Sequence, residues 1–112
     1  MGFSEIANER GRVATMFVLE VVSGPLDGKT WPFEREITIG RDETVAGACL
    51  ALDRYVSRCH AKLAADGEYL RLTDLKSRNG VNVGGKSVSG DAMVEIGVPF
   101  TVGRTMLRVT RG

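Results

Sequence analysis

Turn residues break this chain at close intervals into short segments. Pro25-Leu26-Asp27-Gly28, Asp66-Gly67, Asn79-Gly80, Gly84-Gly85, Gly90-Asp91 and Gly97 each interrupt the sequence, and residues of these types form tight turns. Between them lie short runs in which apolar residues alternate, the period of two that turns one face of a strand inward. Phe17, Leu19 and Val21 share a face within residues 15–23, and Ile37 and Ile39 share one within residues 36–40. Leu107 and Val109 point inward within residues 104–110. Residues 29–33 and 49–52 read as further short strands, and residues 59–64 and 68–73 as a hairpin across Asp66-Gly67. No window within residues 15–112 sustains a helical apolar period. Many short strands and frequent turns predict an all-β fold, an antiparallel sandwich or barrel. Residues 1–14 read as a polar leader with at most one loose helical turn, which leaves residues 15–112 as the folded domain.

A length of 112 residues corresponds to one domain, with a modest core that needs no staples. The net charge is +1 with both signs interspersed, so the chain lacks the clustered basic face that nonspecific nucleic-acid binding requires. No stretch has the apolar length to span a bilayer. The leader carries Glu5, Glu9, Arg10 and Arg12 in place of the apolar centre of a signal peptide. Nucleic acid and membrane are therefore not expected as partners, and the expected location is the cytoplasm. Cys49 and Cys59 read as buried free thiols. With His60 as the single histidine, they are too few for a zinc site. No metal or cofactor is expected.

Three short motifs carry the chemistry: Gly40-Arg41, Ser57-Arg58-Cys59-His60 and Ser77-Arg78-Asn79-Gly80. Together they gather hydroxyls, guanidiniums and a carboxamide, which are anion-holding groups. Gly40 ends a strand and lets the chain turn; Arg41 just beyond offers a planar fork suited to phosphate. The same dipeptide recurs at Gly11-Arg12 and Gly103-Arg104, to which no role is assigned. Ser57 and His60 do not read as nucleophile and base. Three residues apart in an extended segment, their side chains face opposite sides, and no carboxylate is placed to orient the imidazole. His60 reads instead as a structural histidine bonded to neighbouring backbone.

Residues 80–87, Gly-Val-Asn-Val-Gly-Gly-Lys-Ser, match the nucleotide-binding P-loop string letter for letter. That chemistry needs a helix starting at Lys86-Ser87, so that its N–H groups and dipole meet the phosphates. The chain continues instead as Val88-Ser89-Gly90-Asp91, with another glycine and no helical period. Gly84-Gly85 is better read as a hairpin turn between short strands.

At these spacings the three motifs resemble the phosphopeptide-binding signature of bacterial forkhead-associated (FHA) domains, over residues 17–110. The resemblance implies a twisted β-sandwich with the peptide site in loops at one end, and no enzymatic activity. It implies that Arg41, Ser57 and Arg58 hold the phosphate and that the Asn79 carboxamide bonds the backbone of the bound peptide. The residue before that asparagine usually joins the contact; here it is Arg78, which reaches either the phosphate or the solvent. Gly40, His60, Ser77 and Gly80 shape the loops. The implied partner is a phosphothreonine-containing protein or peptide, with a Ser/Thr kinase or its substrate behind it. The chain departs from the family pattern in having Val81 for a threonine and Gly84 for a second asparagine, and neither change removes a main phosphate contact. The alternative is a scaffolding domain on the same fold that contacts partners without phosphate.

Overall fold

Alternating apolar side chains sort the described residues, 16–88 and 90–112 of this computed structural model, into two sheets. The leader at residues 1–14 and Thr15, where the first strand was expected to begin, lie outside the described residues. The six-stranded sheet runs β2 (Thr30–Phe33), β1 (Phe17–Ser23), β11 (Thr105–Arg111), β10 (Phe100–Val102), β7 (Val81–Val83) and β8 (Lys86–Val88). The five-stranded sheet runs β4 (Ala48–Cys49), β3 (Glu36–Gly40), β5 (Ala61–Asp66), β6 (Tyr69–Asp74) and β9 (Asp91–Glu95). Among the described residues there is no helix, and none that could cross a membrane.

The inward faces follow from the pleat. Phe17, Leu19 and Val21 of β1 lie buried beside Leu107 and Val109 of β11, with Leu19 opposite Val109 and Val21 opposite Leu107. In the other sheet Ile37 faces Leu63, Leu63 faces Leu72 and Leu70 faces Val94. A one-residue slip would carry each of these sets to the solvent face, so burial fixes the register. Phe100 and Val102 fill the middle of the six-stranded sheet, both essentially inaccessible.

All pairings are antiparallel except β3 with β4, where Ile39 meets Ala48 and Gly40 meets Cys49 in parallel. The expected strand at residues 49–52 shrinks to this two-residue pair. Leu50 turns inward and is buried, whereas Leu52 is 66% exposed. The strand expected from Cys59 starts at Ala61, because residues 57–60 are drawn off by loop contacts. Neither thiol is disulfide-bonded, but Cys59 is exposed and Cys49 half-buried, so the expectation that both are buried fails. At Gly84-Gly85 both residues have positive φ, 59° and 81°, as a tight hairpin between β7 and β8 requires. Lys86 and Ser87 therefore sit in a strand, and the P-loop string lacks the helix its chemistry needs.

The face assignment can be tested by substitution. Phe100→Ala should cost about 3–5 kcal/mol of unfolding free energy, because it empties a core position. Met93→Ala, on the outward face of β9, should change it by about 0.5 kcal/mol or less. Urea unfolding of both variants checks this; comparable losses would contradict the assigned faces.

Candidate functional site

Strand direction gathers the irregular loops at one end of the sandwich. β3 and β6 end there and β5 and β7 begin there, so the β3–β4, β4–β5 and β6–β7 connections share that end. The β10–β11 turn at Gly103-Arg104 joins them, since Arg104 N–H donates to Asp53 Oδ2 at 2.8 Å.

The first fixed point is Gly40. Its φ is not positive, so the sharp turn expected of it is not the reason for a glycine here. The reason is proximity: an added Cβ would overlap the Arg58 carbonyl and press on Ala46 at 3.2 Å. That closeness lets residues 39–42 lie against residues 57–60. His60 N–H donates to Ile39 O at 2.9 Å, Arg41 N–H to Ser57 O at 3.0 Å, and Asp42 N–H to Arg58 O at 3.3 Å. Leu50 N–H donates to Gly40 O at 2.7 Å, which draws the β4–β5 loop into the same cluster.

The second fixed point is His60, which is fully buried. Its Nδ1 accepts the Ser57 backbone N–H at 2.9 Å. A backbone N–H can only donate, so the ring proton sits on Nε2, which donates to Gly80 O at 2.8 Å. The ring therefore bonds backbone on both sides and leaves the Ser57 hydroxyl alone. The segment is a loop and not the extended strand expected, so the ring folds back on Ser57 instead of pointing away. Ser77 completes the β6–β7 loop: its N–H donates to Asp74 Oδ1 at 3.1 Å and its hydroxyl accepts Gly80 N–H at 2.9 Å. Gly80 has φ of 73°, a conformation suited to glycine.

These supports bring Arg41, Ser57, Arg58, Arg78 and Asn79 around one cleft of about 220 Å³. Arg41 Nε donates to Val56 O at 3.0 Å, which fixes the guanidinium and leaves its terminal nitrogens free of that bond. Ser57 Oγ accepts Arg78 N–H at 3.0 Å, so its own hydroxyl hydrogen remains available to donate. Asn79 Nδ2 donates to Tyr55 O at 2.7 Å, leaving its carbonyl oxygen and second N–H for another partner. Sequence reasoning missed Arg54 and Tyr55, which also line the cleft. No local motif marks them; their place follows from how the β4–β5 loop folds back.

The electrostatics are one-sided. Among the described residues four arginines line the cleft, and no carboxylate does. Among the described residues none of the four is in an ion pair, whereas Arg71 meets Asp66 and Arg108 meets Glu20, both at 2.8 Å. Asp42 stands just outside the cleft. Its carboxylate accepts the Thr44 backbone N–H at 2.9 Å and hydroxyl at 2.8 Å. These bonds, and then the charges of Arg58 and Arg41, hold it below the usual carboxylate range. Among the described residues no group of three His, Cys, Asp or Glu side chains converges as metal ligands would.

Comparison with known proteins bears on this geometry. Residues 20–111 match the family described as the inner membrane component of T3SS, cytoplasmic domain, and the chain belongs to that family. No curated protein matches it. Among solved structures it is similar to the FHA domain of the CT664 protein from Chlamydia trachomatis. That pair is 26% identical over 85% of this chain and 96% of the other, with a TM-score of 0.77. An FHA domain studied for phosphothreonine-dependent interactions is 29% identical, with 86% and 96% coverage and a TM-score of 0.73. The FhaA FHA domain, solved in complex with the intracellular domain of Rv3910, is 29% identical, with 83% and 98% coverage and a TM-score of 0.71. The fold is thus the FHA β-sandwich.

Both fixed points can be probed directly. His60→Ala leaves the Ser57 N–H and the Gly80 carbonyl without their partner, and should lower stability by about 2–4 kcal/mol. Gly40→Ala forces a Cβ against backbone and should cost about 1–3 kcal/mol. Chemical denaturation measures both; a loss near zero for either would show that the loops hold together without it.

Proposed function

We propose that this member of the T3SS inner-membrane-component family, built on the FHA fold, binds phosphothreonine peptides through the cleft at its loop end and does no catalysis. The observation that carries the reading is the cleft itself, lined by Arg41, Arg54, Arg58 and Arg78, with no carboxylate among the described residues that line it. Guanidiniums held together repel one another, and an anion relieves that repulsion. A phosphate monoester brings close to two negative charges and three acceptor oxygens. Arg41 and Arg58 suit it as forks, and the Ser57 hydroxyl suits it as a neutral donor. Asn79 has the free half of its carboxamide for the backbone of a bound peptide. Support also comes from FHA domains of similar sequence, one of them studied for phosphothreonine-dependent interactions.

The same residues argue against an enzyme. The His60 ring is bonded to backbone on both nitrogens, so it has no lone pair to take a proton from Ser57. The site of action is the cytoplasm, in keeping with the family's description as a cytoplasmic domain. The implied partner is a phosphorylated protein, a Ser/Thr kinase or its substrate. The alternative, a scaffolding domain that ignores phosphate, draws on the family's description as a component of a secretion apparatus. It leaves the arginine-lined cleft without a purpose.

A degenerate phosphothreonine peptide library, with phosphoserine and unphosphorylated controls, is the test. Wild type should bind in a phosphothreonine-dependent manner. Arg41→Ala should weaken binding by about tenfold to a hundredfold, the worth of one charge-assisted hydrogen bond. Arg41→Lys should rescue only part, because the fork and its bond to Val56 are lost. Binding should also weaken as pH falls through about 6, where the phosphate takes up its second proton. A folded wild type that binds all three peptide sets alike would favour the scaffolding alternative.

A further inference from the structure

The chain has three asparagines, Asn8, Asn79 and Asn82, and only Asn79 precedes a glycine. That pairing carries a reactivity of its own. The backbone nitrogen of the following residue can attack the side-chain amide carbon, and a glycine has no side chain to obstruct it. The surroundings of Gly80 are open as well: an added Cβ would meet nothing nearer than Ser87 Oγ at 3.9 Å. Asn79 is exposed, so water reaches it. Asn82, by contrast, lies within β7 and precedes Val83, whose branched side chain crowds the attack. Asn8 lies outside the described residues and precedes Glu9.

The reaction balances with water alone. Gly80 N gives its proton to solvent base and bonds to Asn79 Cγ, and Nδ2 leaves as ammonia. The five-membered imide then takes up water and opens at either carbonyl. One opening gives aspartate; the other gives isoaspartate, whose main chain is longer by a methylene. In sum, one amide and one water become one carboxylic acid and one ammonia.

The folded loop restrains both reacting groups. Gly80 N–H donates to Ser77 Oγ at 2.9 Å, and this bond must open before the nitrogen can attack. Asn79 Nδ2 donates to Tyr55 O at 2.7 Å, which ties down the leaving nitrogen. Ser77 is itself anchored, its N–H donating to Asp74 Oδ1 at 3.1 Å. The product would sit badly in this frame. An acid at residue 79 presents an oxygen to Tyr55 O in place of the donor, and adds a carboxylate to a cleft lined by Arg41, Arg54, Arg58 and Arg78. The extra methylene of isoaspartate also shifts Gly80 against Ser77 and His60, its partners at 2.9 and 2.8 Å.

We propose that Asn79 is a self-modification site: its conversion to aspartate or isoaspartate closes the arginine-lined cleft, and the Ser77 hydroxyl slows that conversion. The closing rests on the phosphothreonine reading; the modification does not.

Peptide mapping by mass spectrometry, after incubation of the folded protein, tests the modification. Acid should accumulate at residue 79 and not at Asn82, faster in mildly alkaline than in mildly acidic buffer. Ser77→Ala should raise the rate by about fivefold to tenfold, the worth of one hydrogen bond that no longer has to open. In urea both proteins should react at one common, faster rate, because the bond is then lost in each. If Ser77→Ala does not fold, Ser77→Thr and Ser77→Val take its place: they are alike in shape, and only Ser77→Thr should keep the slow rate. No acid at residue 79, or equal rates in folded proteins with and without the hydroxyl, would overturn the proposal. The converted fraction, separated by its added negative charge, is then offered the phosphothreonine peptides. It should bind about tenfold or more weakly than intact protein, as should Asn79→Asp. Equal affinity would overturn the closing. If intact protein binds no phosphothreonine peptide, that reading falls and the closing with it, while the mapping still decides the modification.

Discussion

The loops at the cleft end have little regular ladder, so their backbone N–H and C=O groups need other partners. Two buried polar side chains supply them. His60 bridges Ser57 N–H and Gly80 O, joining the β4–β5 loop to the β6–β7 loop. Asp53 bridges Tyr55 N–H, Arg104 N–H and the Thr105 hydroxyl, joining the β4–β5 loop to the β10–β11 turn. Both lie in one loop, which is thereby fixed at each end. Every cleft residue is positioned by backbone that one of these two, or the close approach at Gly40, holds in place.

The cleft places like charges side by side, which opposes folding, and the rest of the molecule offsets this. Sheet burial of Leu19, Ile39, Leu63, Leu72, Phe100 and Leu107 gives a core that does not depend on the loops. The guanidiniums are exposed, so water screens much of their repulsion. Support and exposed charge are therefore separated: buried contacts at Asp53, His60 and Gly40 set the geometry, and exposed arginines line the cleft. On the proposed reading, such an arrangement needs little rearrangement to take up an anion, which favours affinity.

The P-loop string shows why a motif needs its surroundings. The eight residues from Gly80 to Ser87 satisfy the pattern, yet the glycines serve a hairpin turn and the lysine an exposed strand. Arg78-Asn79 carries a weaker pattern, but its neighbours in space are Tyr55, Ser57 and Arg41, and those give it chemical meaning.

The strands were legible in the sequence because alternation and turn residues are local signals. The runs around Leu19, Ile39, Leu63 and Leu107 contain their own instructions about which side faces inward. The motif residues Arg41, Ser57, Arg58, Arg78 and Asn79 could be named because at their spacing they resemble the FHA signature, and the fold brings them to one cleft. What the sequence could not carry is everything that depends on which loop meets which. That Gly40 is a glycine because of Arg58, that the His60 ring turns back onto Ser57, and that Asp53 reaches Arg104 across 51 residues are facts of tertiary approach. Arg54 and Arg104 gave no local sign of where they would lie. Only the sandwich, by bringing the loop ends together, set Arg54 on the cleft and the Arg104 guanidinium over the Tyr55 ring.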